Sequence, residues 1–296
     1  MMKNKKFYAA AGLVVLICAA AAGFYFSSLA YRLDRLAAGK DCRVGAAVVA
    51  GSRSFVHEEG KYPLLSVFKL FIAVRVLDEL ERENADPDKV ELTITRDMID
   101  ERTYSPMRDE RRTYPYGISV ARLLEYMVAE SDNNAADILL AYTGGTEQMQ
   151  AYLKRLGFGE IEVSANEKEM NADIAKQYVN RASPADVVRF LKTVREGDIL
   201  TSENRKFFDK IMTATVTGGD KLKAGLPQGT VFGHKTGSSS RTAEGIKIAD
   251  NDAGFVILPD GRTYYIAVMV SDSRMSDREN AALAAEISAV VYNRLR

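Results

Sequence analysis

The pattern of apolar and polar positions divides the chain into a leader and three blocks. A lysine-rich start is followed by an alanine-rich apolar run from Phe7 to about Phe26, then by small residues at Ser28 and Ala30. This is the pattern of an export signal cut after Ala30, or of a retained anchor, since the run is nearly long enough to span a bilayer. From about 30 to 60, "LAYRLDRLAA" reads as a helix, and "RVGAAVVA" and "SRSFVHEE" read as two strands of a hairpin joined around Gly51. Helical periodicity then dominates, over 66–82, 118–129, 132–142, 146–156, 184–196 and 203–213. Ser183-Pro184 supplies an N-cap and a first-turn proline, and Gly144-Gly145 breaks the chain between two of these helices. From about 229 the strand pattern returns in "TVFGHKTG" and "NDAGFVILPDGRTYYIAVMVSDS", with Pro259-Asp260-Gly261 as a tight turn, and a last helix covers 277–295.

Strands from both ends with helices between them predict an α+β fold. An antiparallel sheet, flanked by helices, is formed from residues 31–60 and 215–296, and an all-helical domain, 61–214, is inserted between them. The cleft between two such domains is the expected site.

Composition narrows the function. The 296 residues are 47% apolar, enough for a large core. Forty basic residues balance forty acidic ones, with no basic run beyond the leader, which argues against a nucleic-acid partner. Cys18 lies in the leader, so the mature chain has the single thiol Cys42 and no internal disulfide. Cys42 opens the apolar run "CRVGAAVVAG" and reads as a small core or strand residue. His57 and His234 are far apart and no pair has metal-ligand spacing, so no metal or cofactor is expected. Nothing demands more than a monomer.

The candidate chemistry begins with a lysine out of place. In "SVFKLFIAVRVL", Lys69 is surrounded by core-like residues, and Ser66 shares its helix face three positions earlier. A buried ammonium is costly, so a neutral amine becomes available as a base, and a serine hydroxyl needs such a base to be nucleophilic. A lone S-x-x-K is common and fits a lysine that snorkels to solvent. "SDN" at Ser131-Asp132-Asn133 could be a helix cap, and "KTG" at Lys235-Thr236-Gly237 could be a strand end. All three in this order, after an export signal, are hard to obtain by coincidence.

Together they resemble the class A serine β-lactamases, for which these three motifs are characteristic. The resemblance runs from about residue 30 to the end and includes "YSPMRD" at 104–109 and Glu167 with Asn171 in "NEKEMN". The region from Lys235 to Gly261 is most similar to the divergent cephalosporinase and extended-spectrum subgroup. The resemblance implies that Ser66 attacks the lactam carbonyl, with its N–H and that of Ser238 as the oxyanion hole. It implies that Lys69 relays protons, that Ser131 protonates the leaving nitrogen, and that Glu167 activates a water positioned by Asn171. Asn133 would bind the substrate's side-chain amide, Lys235, Thr236 and Gly237 its carboxylate end, and Tyr104 would line the opposite wall. The implied substrates are β-lactam antibiotics, cephalosporins and penicillins, hydrolysed in the periplasm to give resistance.

Three departures from the family pattern stand out. Lys168 replaces the proline that commonly follows the glutamate after a cis bond, and a non-proline cis bond costs roughly 3 kcal/mol. Ala165 and Asn180 stand where many members have an Arg–Asp pair. A loop of altered shape, trans at Glu167–Lys168, with a wider cleft for bulky cephalosporin side chains, is therefore expected. Glu244 lies near where an arginine is often found, which leaves Lys221, Lys223 and Arg241 as candidates for a second cation. A D-Ala-D-Ala carboxypeptidase shares the Ser–Lys and KTG chemistry but lacks the glutamate. A β-lactam sensor would need a retained anchor, and a Ser–His–Asp hydrolase is disfavoured because His234 faces away from Lys235 on a strand.

Overall fold

The computed structural model describes residues 28–296, so most of the leader lies outside the described residues. Among the described residues, no helix is long and apolar enough to cross a membrane. The strands are β1 (Arg43–Ala50), β2 (Arg53–His57), β3 (Tyr62–Pro63), β4 (Glu91–Ile94), β5 (Tyr116–Ser119), β6 (Arg181–Ala182), β7 (Val231–Ser238), β8 (Lys247–Ile257) and β9 (Thr263–Ser273). The helices are α1 (Leu29–Ala37), α2 (Lys69–Arg82), α3 (Pro106–Glu110), α4 (Val120–Ala129), α5 (Asn133–Tyr142) and α6 (Gly145–Arg155). They continue with α7 (Glu167–Ala172), α8 (Pro184–Glu196), α9 (Ser202–Thr213) and α10 (Asp277–Leu295).

A five-stranded sheet runs in the order β2-β1-β9-β8-β7, with every adjacent pair antiparallel. The first and last segments of the chain thus meet in mid-sheet, as expected. Both faces are covered. Leu29 and Leu33 of α1 and Leu283, Ile287 and Val291 of α10 pack on one face with Val48, Val256 and Ile266. On the other face, Ala47, Phe255 and Tyr265 join the core of the helical block, where Phe190 meets Phe71 and Phe158 edge-on at 4.8 and 5.2 Å. With water excluded from both sides, β8 is buried at every position except Ile257, so it reads as a continuous run rather than an alternation.

The inserted block is not purely helical. It carries the two-stranded ladders β3–β6 and β4–β5, each strand four residues or shorter, too short to register as a period. The helix read as 118–129 begins at Val120, with the Ser119 hydroxyl capping it by accepting from the Arg122 N–H. Cys42 sits half-buried just before β1, as a free thiol.

Candidate active site

The turn that presents Ser66 is a 3₁₀ run, Leu65–Phe68, feeding directly into α2. Leu65 has φ +46°, uncommon for a bulky residue, and strain of this kind tends to collect at functional turns. Strand β7 presses against this turn. A β-carbon at Gly237 would lie 2.4 Å from the Leu64 carbonyl oxygen and 3.1 Å from the Ser66 nitrogen, so only glycine allows this approach. From β8, Asn251 fixes the same turn by donating to the Pro63 and Leu64 carbonyls at 2.7 and 3.2 Å.

Around Ser66 the sequence candidates converge. Its hydroxyl donates to Glu167 Oε1 at 3.2 Å. Lys69, fully buried at the start of α2, places Nζ 2.9 Å from the same carboxylate oxygen. It also donates to the Ser131 carbonyl at 2.8 Å and to Asn133 Oδ1 at 2.6 Å, so all three donors of an ammonium are used. The structure therefore brings Glu167, rather than Lys69, to the serine hydroxyl. Lys235, also fully buried, donates to Ser131 Oγ at 2.8 Å and to the Thr236 carbonyl at 2.9 Å. Burial, reinforced by the nearby Lys69 cation, pushes the Lys235 ammonium well below its ordinary range.

The middle motif divides its labour. Ser131 adopts a left-handed backbone, φ +62°, between α4 and α5. Asp132 is buried and structural: it caps α5 by accepting from the Ala135 N–H at 2.8 Å, and it also accepts from the Met107 N–H and the Ser105 hydroxyl. Asn133 donates its amide to Thr103 Oγ1 at 2.7 Å, and its N–H to the Tyr104 carbonyl at 3.1 Å. Tyr104 itself is 57% exposed on the cleft wall.

The segment carrying Glu167 is closed without an ion pair. Asn180 Oδ1 accepts from the Ser164 and Ala165 N–H groups at 2.7 and 2.9 Å, its amide donates to the Ala165 carbonyl at 2.7 Å, and its own carbonyl accepts from the Leu64 N–H. Asn166 then starts α7 through a capping box with Glu169. The cis peptide among the described residues is Tyr114–Pro115, so Glu167–Lys168 is trans, as its missing proline led us to expect. Asn171 is not drawn into the Ser66 network. It is exposed, beside Asp100, whose carboxyl is lowered first by Arg102 and to a lesser degree by Asn171.

Sequence reasoning missed Asp137. This α5 carboxylate accepts from the N–H groups of Glu167 at 2.7 Å and Lys168 at 2.9 Å. Burial pushes its carboxyl up to about 7, those two N–H bonds oppose the rise, and the Glu167 charge adds to it. Its one available signal was that Asp137 is the single charged residue in "NNAADILLAY".

Ser66, Tyr104, Ser131, Asn133, Thr236 and Ser238 line one cleft of about 450 Å³. Of the three candidates for a second cation, Lys221 lines this cleft, Arg241 is 2.5 Å from Asp277, and Lys223 is exposed elsewhere. His234 is buried against Asp252 at 2.9 Å and does not line this cleft.

The chain resembles known proteins along nearly its whole length. Residues 28–295 match the Beta-lactamase enzyme family. A β-lactamase of Bacteroides uniformis is 41% identical over 273 residues, 91% of this chain and 92% of that one. The extended-spectrum β-lactamase PER-1 of Pseudomonas aeruginosa is 34% identical over 88% of this chain and 85% of its own. A class A β-lactamase structure from Bacteroides cellulosilyticus superposes with a TM-score of 0.87, at 41% identity, covering 90% of this chain and 96% of that one.

Proposed function

Since the chain belongs to the β-lactamase family and groups with its class A members, we propose that it opens cephalosporins and penicillins through an acyl-enzyme on Ser66, after export to the periplasm. One observation carries the reading: a single carboxylate oxygen of Glu167 reaches both Ser66 Oγ at 3.2 Å and Lys69 Nζ at 2.9 Å.

In this mechanism Glu167 accepts the hydroxyl proton as Ser66 Oγ bonds to the lactam carbonyl carbon, and Lys69 stabilises the charge that Glu167 carries beforehand. The developing oxyanion is received by the N–H groups of Ser66 and Ser238. Collapse breaks the C–N bond, and the nitrogen takes the hydroxyl proton of Ser131, whose oxygen is held by Lys235; the proton that Glu167 accepted then replaces it on Ser131 by way of Lys69, so that Glu167 is again a carboxylate. Glu167 then takes a proton from a water as that water attacks the ester carbonyl, and returns it to Ser66 Oγ as the ester C–O bond breaks, which restores both groups. The substrate carboxylate lies against Lys235 and Thr236. The trans Glu167–Lys168 bond and the Asn180 closure support a cleft shaped for bulky cephalosporin side chains.

The test is a time course with excess chromogenic cephalosporin. The wild type is expected to complete many turnovers per molecule. Glu167→Ala, in which Lys69 is left as the nearest base, is expected to acylate more slowly and then to stop after about one equivalent, with the acyl group on Ser66 visible by intact mass. A wild type that itself stops after one equivalent would replace hydrolysis with the sensor or carboxypeptidase chemistry.

A further inference from the structure

The cleft continues past Thr236 to a second polar cluster lined by Lys221, Ser238, Lys247, Asp250 and Asp277, of which the mechanism uses Ser238 alone. Thr236 and Ser238 are two positions apart on β7 and project to the same face. Gly218, at φ +66°, presses the next turn onto that row: a β-carbon there would fall 2.4 Å from Thr236 Cγ2 and 3.4 Å from Lys221 Cδ. The Lys221 stem is thereby laid beside the strand, and Nζ donates to Ser238 Oγ at 2.8 Å and to the Asn251 carbonyl at 3.3 Å.

Asp250 takes up both groups. Its Oδ1 is 2.5 Å from Lys221 Nζ and accepts from the Ser238 hydroxyl at 2.9 Å, while Asn280 of α10 reaches Oδ2 at 3.4 Å. Lys221 is 7% exposed and Asp250 4%, so solvent and salt screen their attraction little. Of four lysines around the cleft, three face a carboxylate: Lys69 faces Glu167, Lys221 faces Asp250 and Lys247 faces Asp277. Lys235 instead donates to a hydroxyl and a carbonyl. An anionic group entering beside Thr236 therefore meets one lysine without a carboxylate partner and one already paired.

We propose that Asp250 is a specificity-determining residue: by holding the Lys221 ammonium and the Ser238 hydroxyl, it withholds both from an anionic substrate group and leaves that group to Lys235. Its kinetic consequence rests on the β-lactamase reading, but its electrostatic consequence does not. Asp250→Asn frees Lys221, whereas the double variant Lys221→Met/Asp250→Asn removes both charges and strands neither.

The full chain is measured in two ways. For a chromogenic cephalosporin with a free carboxylate, Asp250→Asn is expected to lower KM about fivefold or more, and the double variant to keep KM within about threefold of wild type. Sulfate, against chloride at matched ionic strength, is expected to raise the melting temperature of Asp250→Asn more than that of wild type, and the double variant is expected to lose this gain. A folded Asp250→Asn with unchanged or raised KM and no extra sulfate stabilisation would overturn the proposal. If Asp250→Asn does not fold, the double variant still decides, because a tenfold rise in its KM would mean that Lys221 binds substrate despite Asp250. A wild type without turnover would remove the lactamase reading, and the sulfate comparison would still decide the role of Asp250.

Discussion

Glu167 is held by its backbone as much as by its side chain. Its N–H and that of Lys168 both end on Asp137, so the two oxygens of one carboxylate fix the first turn of α7. An amide in that place has one acceptor oxygen, and its NH₂ would confront the other N–H. For Asp137→Asn we expect kcat to fall about 10- to 100-fold and kcat/KM to fall less, because in the proposed mechanism water attack depends more closely on where Glu167 is held than acylation does. Stopped-flow acylation rates set beside steady-state turnover check this, and a fall confined to kcat/KM would assign Asp137 to acylation instead. Asp137 also marks the pH dependence of stability. Its carboxyl titrates at about 7 in the folded protein and near 4 when unfolded, so the folded state binds more protons between those values. Stability on this account is full below about pH 4 and falls as pH rises to about 7. Asp137→Asn should therefore gain in melting temperature relative to wild type between about pH 5 and pH 8. Ser66, Lys69, Ser131 and Lys235 could be read from sequence because their motifs have fixed spacing. Asp137 could not, since its contacts are to backbone N–H groups 30 residues away, which no side-chain pattern marks.

At the scale of elements, long periodic segments were the legible ones. The helix read as 184–196 is α8 to the residue, because a Ser cap, a first-turn proline and three turns of periodicity agree. The ladder β4–β5 was not legible, since four-residue strands carry too few positions to show alternation. The closure of the Glu167 segment was half legible: the absent ion pair could be read, but not its replacement. Asn180, fully buried, supplies four hydrogen bonds there. Its substitution by Ala leaves the Ser164 and Ala165 N–H groups without their acceptor, at a cost of about 2–4 kcal/mol. Thermal melts of Asn180→Ala should show a Tm lower by roughly 5–15 °C, with Glu167 turnover impaired alongside. An unchanged Tm would mean that the segment closes by other contacts.

On the scale of the whole molecule, the site is a seam between the sheet and the helical block. Ser66, Lys69, Ser131 and Glu167 come from the inserted block, and Lys235 and Ser238 from the sheet. Gly237 sets how closely the two meet. Gly237→Ala must displace β7 from the Leu64 carbonyl, and we expect kcat/KM to fall about 100-fold while Tm changes little, since misplacement near 1 Å costs that much in rate. Equal losses in rate and stability would show that the seam holds the fold together as well as the site.

The pairing of β1 with β9, Arg43 opposite Ser271 through Ala50 opposite Tyr264, has a consequence for synthesis. A ribosome that has made the first 260 residues has released β1, Ser66 and the whole helical block, yet β1 and β2 still lack the strand that joins them to β8. The enzyme therefore matures in one late step, and a premature stop between Ser66 and β9 yields a chain with that serine present and no assembled site around it.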